Sequence, residues 1–223
     1  MIVVVADGAD DEALALVSRW RAAGAVRLTP GDLSNAGWSA LFPEAGPTFV
    51  AEGESRSTND VTGAVVRLAA VAPHHLPHFA AQDREYAAAE MTAFLAYWLT
   101  VLPCAVVNRP SPSLLLGPAW TNEQWLTFAA GLGLPVVTVT VSRDAAPVVA
   151  PPLEWVTIVG EQCFPASAPG AASAVELARG AGVALLAAGF DVTCSPPQLG
   201  AVTLRPPIGA EIADALLPMM GRP

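Results

Sequence analysis

The chain opens on an unbroken apolar run, Ile2 to Ala6, whose β-branched side chains read as a buried strand. The segment that follows, DDEALALVSRWRAAG, has acidic residues in its first turn, apolar positions at helical spacing and a terminal glycine, and so predicts a helix. A short strand at AVRLT completes a βαβ unit of the doubly wound kind. Residues 30–60 are rich in Gly, Pro, Ser and Asn, broken by a short strand at PTFVAEG, and GAVVRLAAV gives the next strand. APHHLPHF reads as a loop. From Asp83 to Leu102 an Ala-rich pattern with an acidic start predicts a long helix stopped by Pro103. CAVVN is a strand, RPSPSLLLGPAW a proline-punctuated loop, and TNEQWLTFAAGLG a helix capped by Thr121 or Asn122, leading to a strand at VVTVTVS.

Past the Ala/Pro-rich link RDAAPVVAPPLE the pattern changes. WVTIVG and QCFPAS suggest a hairpin, a helix is expected over residues 171–188, FDVTCS and GAVTLRP form two strands joined by PPQL, and a last helix runs from Gly209 to Leu217. The predicted architecture is α/β: a doubly wound, mostly parallel sheet over residues 1–142, a linker at 143–154, and a small α+β module with antiparallel strands over 155–223. No internal repeat is visible.

Composition narrows the function classes. With 53% apolar residues the 223-residue chain can fill a core, and none of its apolar runs reaches the roughly 18–20 residues that span a bilayer. The start lacks the basic region of a signal peptide, so a cytoplasmic protein is expected. A net charge of −9, with all eleven basic residues arginine and no lysine, excludes the clustered positive charge that nucleic acid requires and all lysine-based chemistry. The odd, scattered Cys104, Cys163 and Cys194 read as buried thiols rather than a disulfide or zinc framework.

Local clusters supply the candidate chemistry. All three histidines, His74, His75 and His78, lie within five residues, and neutral imidazoles are good ligands for zinc, nickel or copper; Pro73 and Pro77 favour a plain surface loop instead. Asp7, Asp10, Asp11 and Glu12 follow the first strand, where ligands of open α/β sheets bind, but acidic residues also stabilise a helix start. Arg67 and Glu90, polar residues in apolar surroundings, are expected to form a buried pair. Asn108 and Arg109, after a strand, are candidate ligand-binding residues, with Arg109 as an anchor for a carboxylate or phosphate. Trp120 and Trp125, flanking a helix start, are expected to form an exposed contact.

The order of these pieces resembles the ATP-grasp ligases, in the branch with a short pre-ATP-grasp domain that joins carboxylates to amines on peptides or cofactors. The resemblance is carried by REYAAAEMTAFLAYWL, AVVNRPSP, EQWLTFAAGLGLPVVTV and LAAGFDVTCSPPQLGAVTLRPPIG. It implies that Asp191 and Arg205 border the ligand site. It also implies a strand bearing Glu-x-Asn as magnesium ligands, where this chain has Thr203 and Arg205. The lysine that the family places near Thr121 is absent, and residues 143–154 stand in place of a lid domain. The resemblance therefore implies no bound ATP or magnesium, and a non-catalytic accessory or partner subunit in cofactor or peptide biosynthesis, working as a homodimer or in a complex with a related ligase through a surface that includes Trp120 and Trp125. Two alternatives stand beside it: an active carboxylate–amine ligase with a divergent site, for instance one glutamylating a pterin-type one-carbon cofactor, and a metal or small-molecule binding module built on the histidine loop.

Overall fold

Fifteen helices and strands follow one another in a computed structural model that describes residues 1–39, 46–138 and 152–221. They fall into two compact units: residues 1–119 with 207–223, and residues 120–206.

The first unit is built on a parallel sheet. Strand β1 (Ile2–Val5) lies between β2 (Ala25–Leu28) and β5 (Gly63–Val66), with β6 (Ala105–Val107) on the far side of β5. All four residues of β1 and of β5 are buried, as expected of parallel strands covered on both faces. Helix α1 (Asp11–Arg19) crosses from β1 to β2, its first turn capped by the Asp10 side chain, which accepts from the Ala13 amide. Between β2 and β5 the chain adds a hairpin, β3 (Thr48–Ala51) and β4 (Glu54–Ser57). Its two turn residues, Glu52 and Gly53, both have positive φ, the geometry of a tight hairpin loop. The pattern predicts β3 alone; β4, ESRS, is polar and half to fully exposed, so its sequence carries no apolar alternation. Helix α2 (Arg84–Val101) leads into β6 and presses Leu95, Trp98 and Leu99 into the core, where Trp98 meets Phe49 and Trp38. Helix α5 (Ala210–Leu216) and a 3-10 turn at Leu217–Gly221 belong to this unit.

The second unit carries a four-stranded antiparallel sheet in the order β10-β9-β7-β8, with β7 at Glu154–Val159, β8 at Gln162–Phe164, β9 at Leu185–Asp191 and β10 at Gln198–Thr203. Helix α3 (Asn122–Gly131) and helix α4 (Ala171–Ala181) pack on β10 and on β7 with β9 respectively. Thr121 caps α3 through a reciprocal capping box with Gln124.

Several expectations change here. The helix expected over 171–188 ends at Ala181, because Gly182 adopts φ +65° and releases the chain. Leu185–Asp191 is then a strand, buried at all seven positions, and a short fully apolar run of this kind has no period that separates it from a buried helix. Of the strand expected at FDVTCS only Phe190 and Asp191 belong to β9. The helix read with the first 142 residues packs in the second unit, and the last helix in the first. Of the strand expected at VVTVTVS, Val136 pairs in parallel with Leu199, and residues 139–142 lie outside the described residues, as does most of the linker at 143–154. The three cysteines are free thiols and half-buried rather than buried. Desolvation still raises the thiols of Cys104 and Cys163. No helix among the described residues is long and apolar enough to cross a membrane.

Candidate functional site

The carboxyl ends of β1, β5 and β6 are where an open parallel sheet presents polar groups, and this end of the first unit gathers most of its buried charge. Asp7 follows β1. Its Oδ1 accepts from the Ala9 amide at 2.8 Å and its Oδ2 lies 2.8 Å from His75 Nε2. The Ala9 amide, and after it His75, hold the Asp7 carboxyl below the usual carboxylate range. His75 sits in a 3-10 turn, Pro73–His75, and its Nδ1 accepts from the Ala72 amide at 2.9 Å. With Nδ1 an acceptor, the ring proton is on Nε2 and is donated to Asp7.

His74 packs its ring 4.1 Å from that of His75, so Asp7, His74 and His75 bring one potential ligand atom each within 4.8 Å of one another. His78 turns away to Ser34 Oγ at 3.0 Å and is not part of this group. The carboxylate that the histidine loop lacks in sequence is therefore supplied by Asp7, 68 residues earlier. A metal on His75 Nε2 would have to displace the proton that the Ala72 amide fixes there.

Arg67, one residue past β5, is 3% exposed and donates to Asp10 Oδ2 at 2.9 Å and to Glu12. The expected partner Glu90 is exposed on α2 instead. Asp10 and Glu12 thus do two things at once, forming the start of α1 and receiving a buried cation. Asn108, with φ +55° and 6% exposure, ends the β6 segment. The guanidinium of Arg109 folds back over the end of α2, donating to the carbonyls of Thr100 at 3.1 Å and Cys104 at 2.9 Å, with longer contacts to Leu99 and Leu102. Placed there it satisfies helix-end carbonyls and opposes the negative end of the helix dipole. Arg109, expected from the sequence as a ligand anchor, thus caps the end of α2.

In the second unit Asp191 closes β9. Its Oδ1 accepts from the Thr193 amide at 2.9 Å and the Thr193 hydroxyl at 2.6 Å, and these two bonds lower its carboxyl below the usual range. Thr203 ends β10 and its hydroxyl accepts from the Arg205 amide at 3.2 Å. Trp125 is 3% exposed and belongs to the core, whereas Trp120, at 36%, lies across it at 4.6 Å and reaches Phe128 at 4.8 Å. The two tryptophans do not form a jointly exposed surface. Elsewhere, a shallow cavity of about 200 Å³ opens in the first unit beside Ala15, Arg19, Ile208 and Ala213. Arg19 there pairs with Asp214 at 2.6 Å.

No protein-family model and no curated protein matches the sequence. Solved structures do match over nearly the whole chain. A structure of the ATP-grasp ligase PsnB complexed with minimal precursor, Mg and ADP superposes with a TM-score of 0.68 at 14% identity, covering 99% of this chain and 98% of that one. The macrocyclase MdnC from Microcystis aeruginosa, bound with precursor peptide MdnA, gives 0.71 at 13% identity over 99% of each chain. A Chryseobacterium gregarium RiPP-associated ATP-grasp ligase in complex with ADP and a leader and core peptide gives 0.67 at 11% identity, covering 98% of this chain and 96% of that one. The parallel sheet of the first unit, the antiparallel sheet of the second and these superpositions lead to one conclusion: the chain has the fold of the ATP-grasp ligases.

Proposed function

We propose that this protein is a non-catalytic ATP-grasp-fold partner in peptide biosynthesis, which engages a peptide or a related ligase without itself activating a carboxylate with ATP. The observation that carries the reading is the end of β10, where the ATP-grasp pattern calls for Glu and Asn as magnesium ligands and this chain has Thr203 and Arg205. A hydroxyl is a weak substitute for a carboxylate, and a guanidinium repels the cation. The residues present do not fit a magnesium–triphosphate.

Six of the described arginines support the same reading. Phosphoryl transfer relies on cations held ready for the phosphates, yet the chain has no lysine. Arg19, Arg56 and Arg67 are paired with carboxylates, while Arg27, Arg84 and Arg109 donate to backbone carbonyls. The peptide-biosynthetic setting rests on the solved structures of similar fold, a macrocyclase bound with its precursor peptide and a ligase with a leader and core peptide.

The test is a thermal-shift titration with Mg-ATP and with Mg-ADP. A ligand that binds only the folded chain stabilises it by about 2.7 kcal/mol at a hundred times its dissociation constant. The expected result is no shift with either nucleotide. A saturating shift that disappears in Arg205→Ala would overturn the proposal and make the protein a ligase with a rebuilt phosphate site.

A further inference from the structure

Asp7, His74 and His75 meet at the carboxyl end of the parallel sheet of the first unit, one ligand atom of each within 4.8 Å of the other two. Both segments that bring them together are fixed from behind. Asp7, just past β1, has one carboxylate oxygen on the Ala9 amide, which leaves the other for His75. The 3-10 turn Pro73–His75 is closed by the His75 amide on the Ala72 carbonyl at 2.9 Å and by the Leu76 amide on the Pro73 carbonyl at 3.1 Å. Leu76, fully buried, anchors the turn to the core. A carboxylate and two imidazoles held in this way are a preorganised set of oxygen and nitrogen donors, the kind that zinc and its neighbours prefer.

We propose that Asp7, His74 and His75 hold one divalent transition-metal ion, such as zinc, and leave a fourth position to water or to an oxygen or nitrogen atom of a bound molecule. The distances fit such an ion. Bonds of about 2.1 Å at tetrahedral angles set ligand atoms about 3.4 Å apart. The Asp7–His75 pair, at 2.8 Å, opens slightly to admit the ion, and His74, exposed on its turn, is free to close on it. Charge favours a cation here as well. Four carboxylates, Asp7, Asp10, Asp11 and Glu12, stand at this end of the sheet against two guanidinium groups, Arg67 and the Arg27 that donates to the Gly8 carbonyl.

Binding moves one proton. Without metal, His75 donates from Nε2 to Asp7 while Nδ1 accepts from the Ala72 amide. The ion takes Nε2, the proton passes to Nδ1, and the Ala72 amide gives up its acceptor, so the ring stays neutral. Two hydrogen bonds are exchanged for three coordinate bonds. With that exchange and three protein ligands rather than four, the affinity lies below that of a structural zinc site. Magnesium, which demands oxygen ligands, is excluded.

Calorimetric titration with zinc chloride tests this on the full chain, free of any histidine tag and stripped with EDTA. One ion per chain is expected, undisturbed by millimolar magnesium. Asp7→Asn and His74→Ala should each weaken binding by about tenfold or more, the loss that even an outer-shell partner of a metal causes. His78→Ala, at a ring turned to Ser34 and outside the group, should leave binding unchanged. His74 is exposed, so His74→Ala should keep the metal-free melting temperature, which separates lost binding from lost folding. In a long-range proton–nitrogen NMR spectrum, zinc should move the His75 proton from Nε2 to Nδ1. Zinc that does not bind, that binds Asp7→Asn and His74→Ala as well as the wild type, or that is lost with His78→Ala overturns the proposal. So does displacement by magnesium, or a His75 proton that stays on Nε2. Nucleotide plays no part in this measurement, so its outcome is independent of the thermal-shift titration.

Discussion

Arg67 takes a full charge to the end of a buried strand and is held there by Asp10 and Glu12. Removing one member of such a pair leaves the other uncompensated, so Arg67→Ala should cost about 3–5 kcal/mol of stability in urea denaturation. A loss below about 1 kcal/mol would mean that the carboxylates are hydrated without it. Asp7 makes a prediction in pH. Its folded carboxyl is held low by the Ala9 amide and His75. A depressed carboxylate contributes stability above its unfolded value, about 3.9, and loses it as pH falls through the folded value. The stability difference between the wild type and Asp7→Asn should therefore be constant above about pH 5 and shrink on acidification below about pH 4. A difference that grows on acidification would sink the assignment. That Arg67 needs a carboxylate is legible in its apolar surroundings. Which carboxylate answers it is not, because α1 starts beside the end of β5 only once the strands are paired.

At the scale of elements, the contrast between α4 and β9 shows what a pattern can and cannot say. GAASAVELARGAG spaces its apolar residues for a helix, while ALLAAGF is apolar throughout and becomes a strand because β7 and β10 supply hydrogen bonds on both of its edges. Strand β5 is constrained in another way. A Cβ on Gly63 would lie 2.7 Å from the Met220 Cα and 2.9 Å from its Cβ, so the C-terminal turn rests directly on the strand. Since that contact includes backbone, Gly63→Ala should destabilise the protein by about 1–3 kcal/mol in chemical denaturation. Gly8→Ala, where nothing stands within 4 Å, should be close to neutral. Equal effects at the two positions would show that the C-terminal turn yields easily. Nothing in the sequence marks Gly63 as different from the chain's other glycines, since its constraint comes from a residue 157 positions away.

At the scale of the whole molecule, the chain does not divide where its composition changes. The first unit is closed by residues 207–223, which return to it after the second unit is complete. The proposed loss of ligase chemistry also belongs to this scale, read from the end of β10. The nucleotide titration asks whether the fold still gathers charge for phosphate.

The sequence by itself determined the class of fold, the succession of most strands and helices, a helix cap at Thr121 or Asn122 and the substitutions at Thr203 and Arg205. These depend on neighbours along the chain: periodicity, glycine and proline punctuation, and residue type at a motif position. Only the tertiary structure decided that His75 answers to Asp7 and that Arg67 answers to Asp10 and Glu12. It also decided that Arg109 caps a helix, that Trp125 is core, and that Leu185–Asp191 is a strand. Each of these turns on which buried group or strand edge has to be satisfied by a residue distant in sequence, and that choice is made when the sheets assemble.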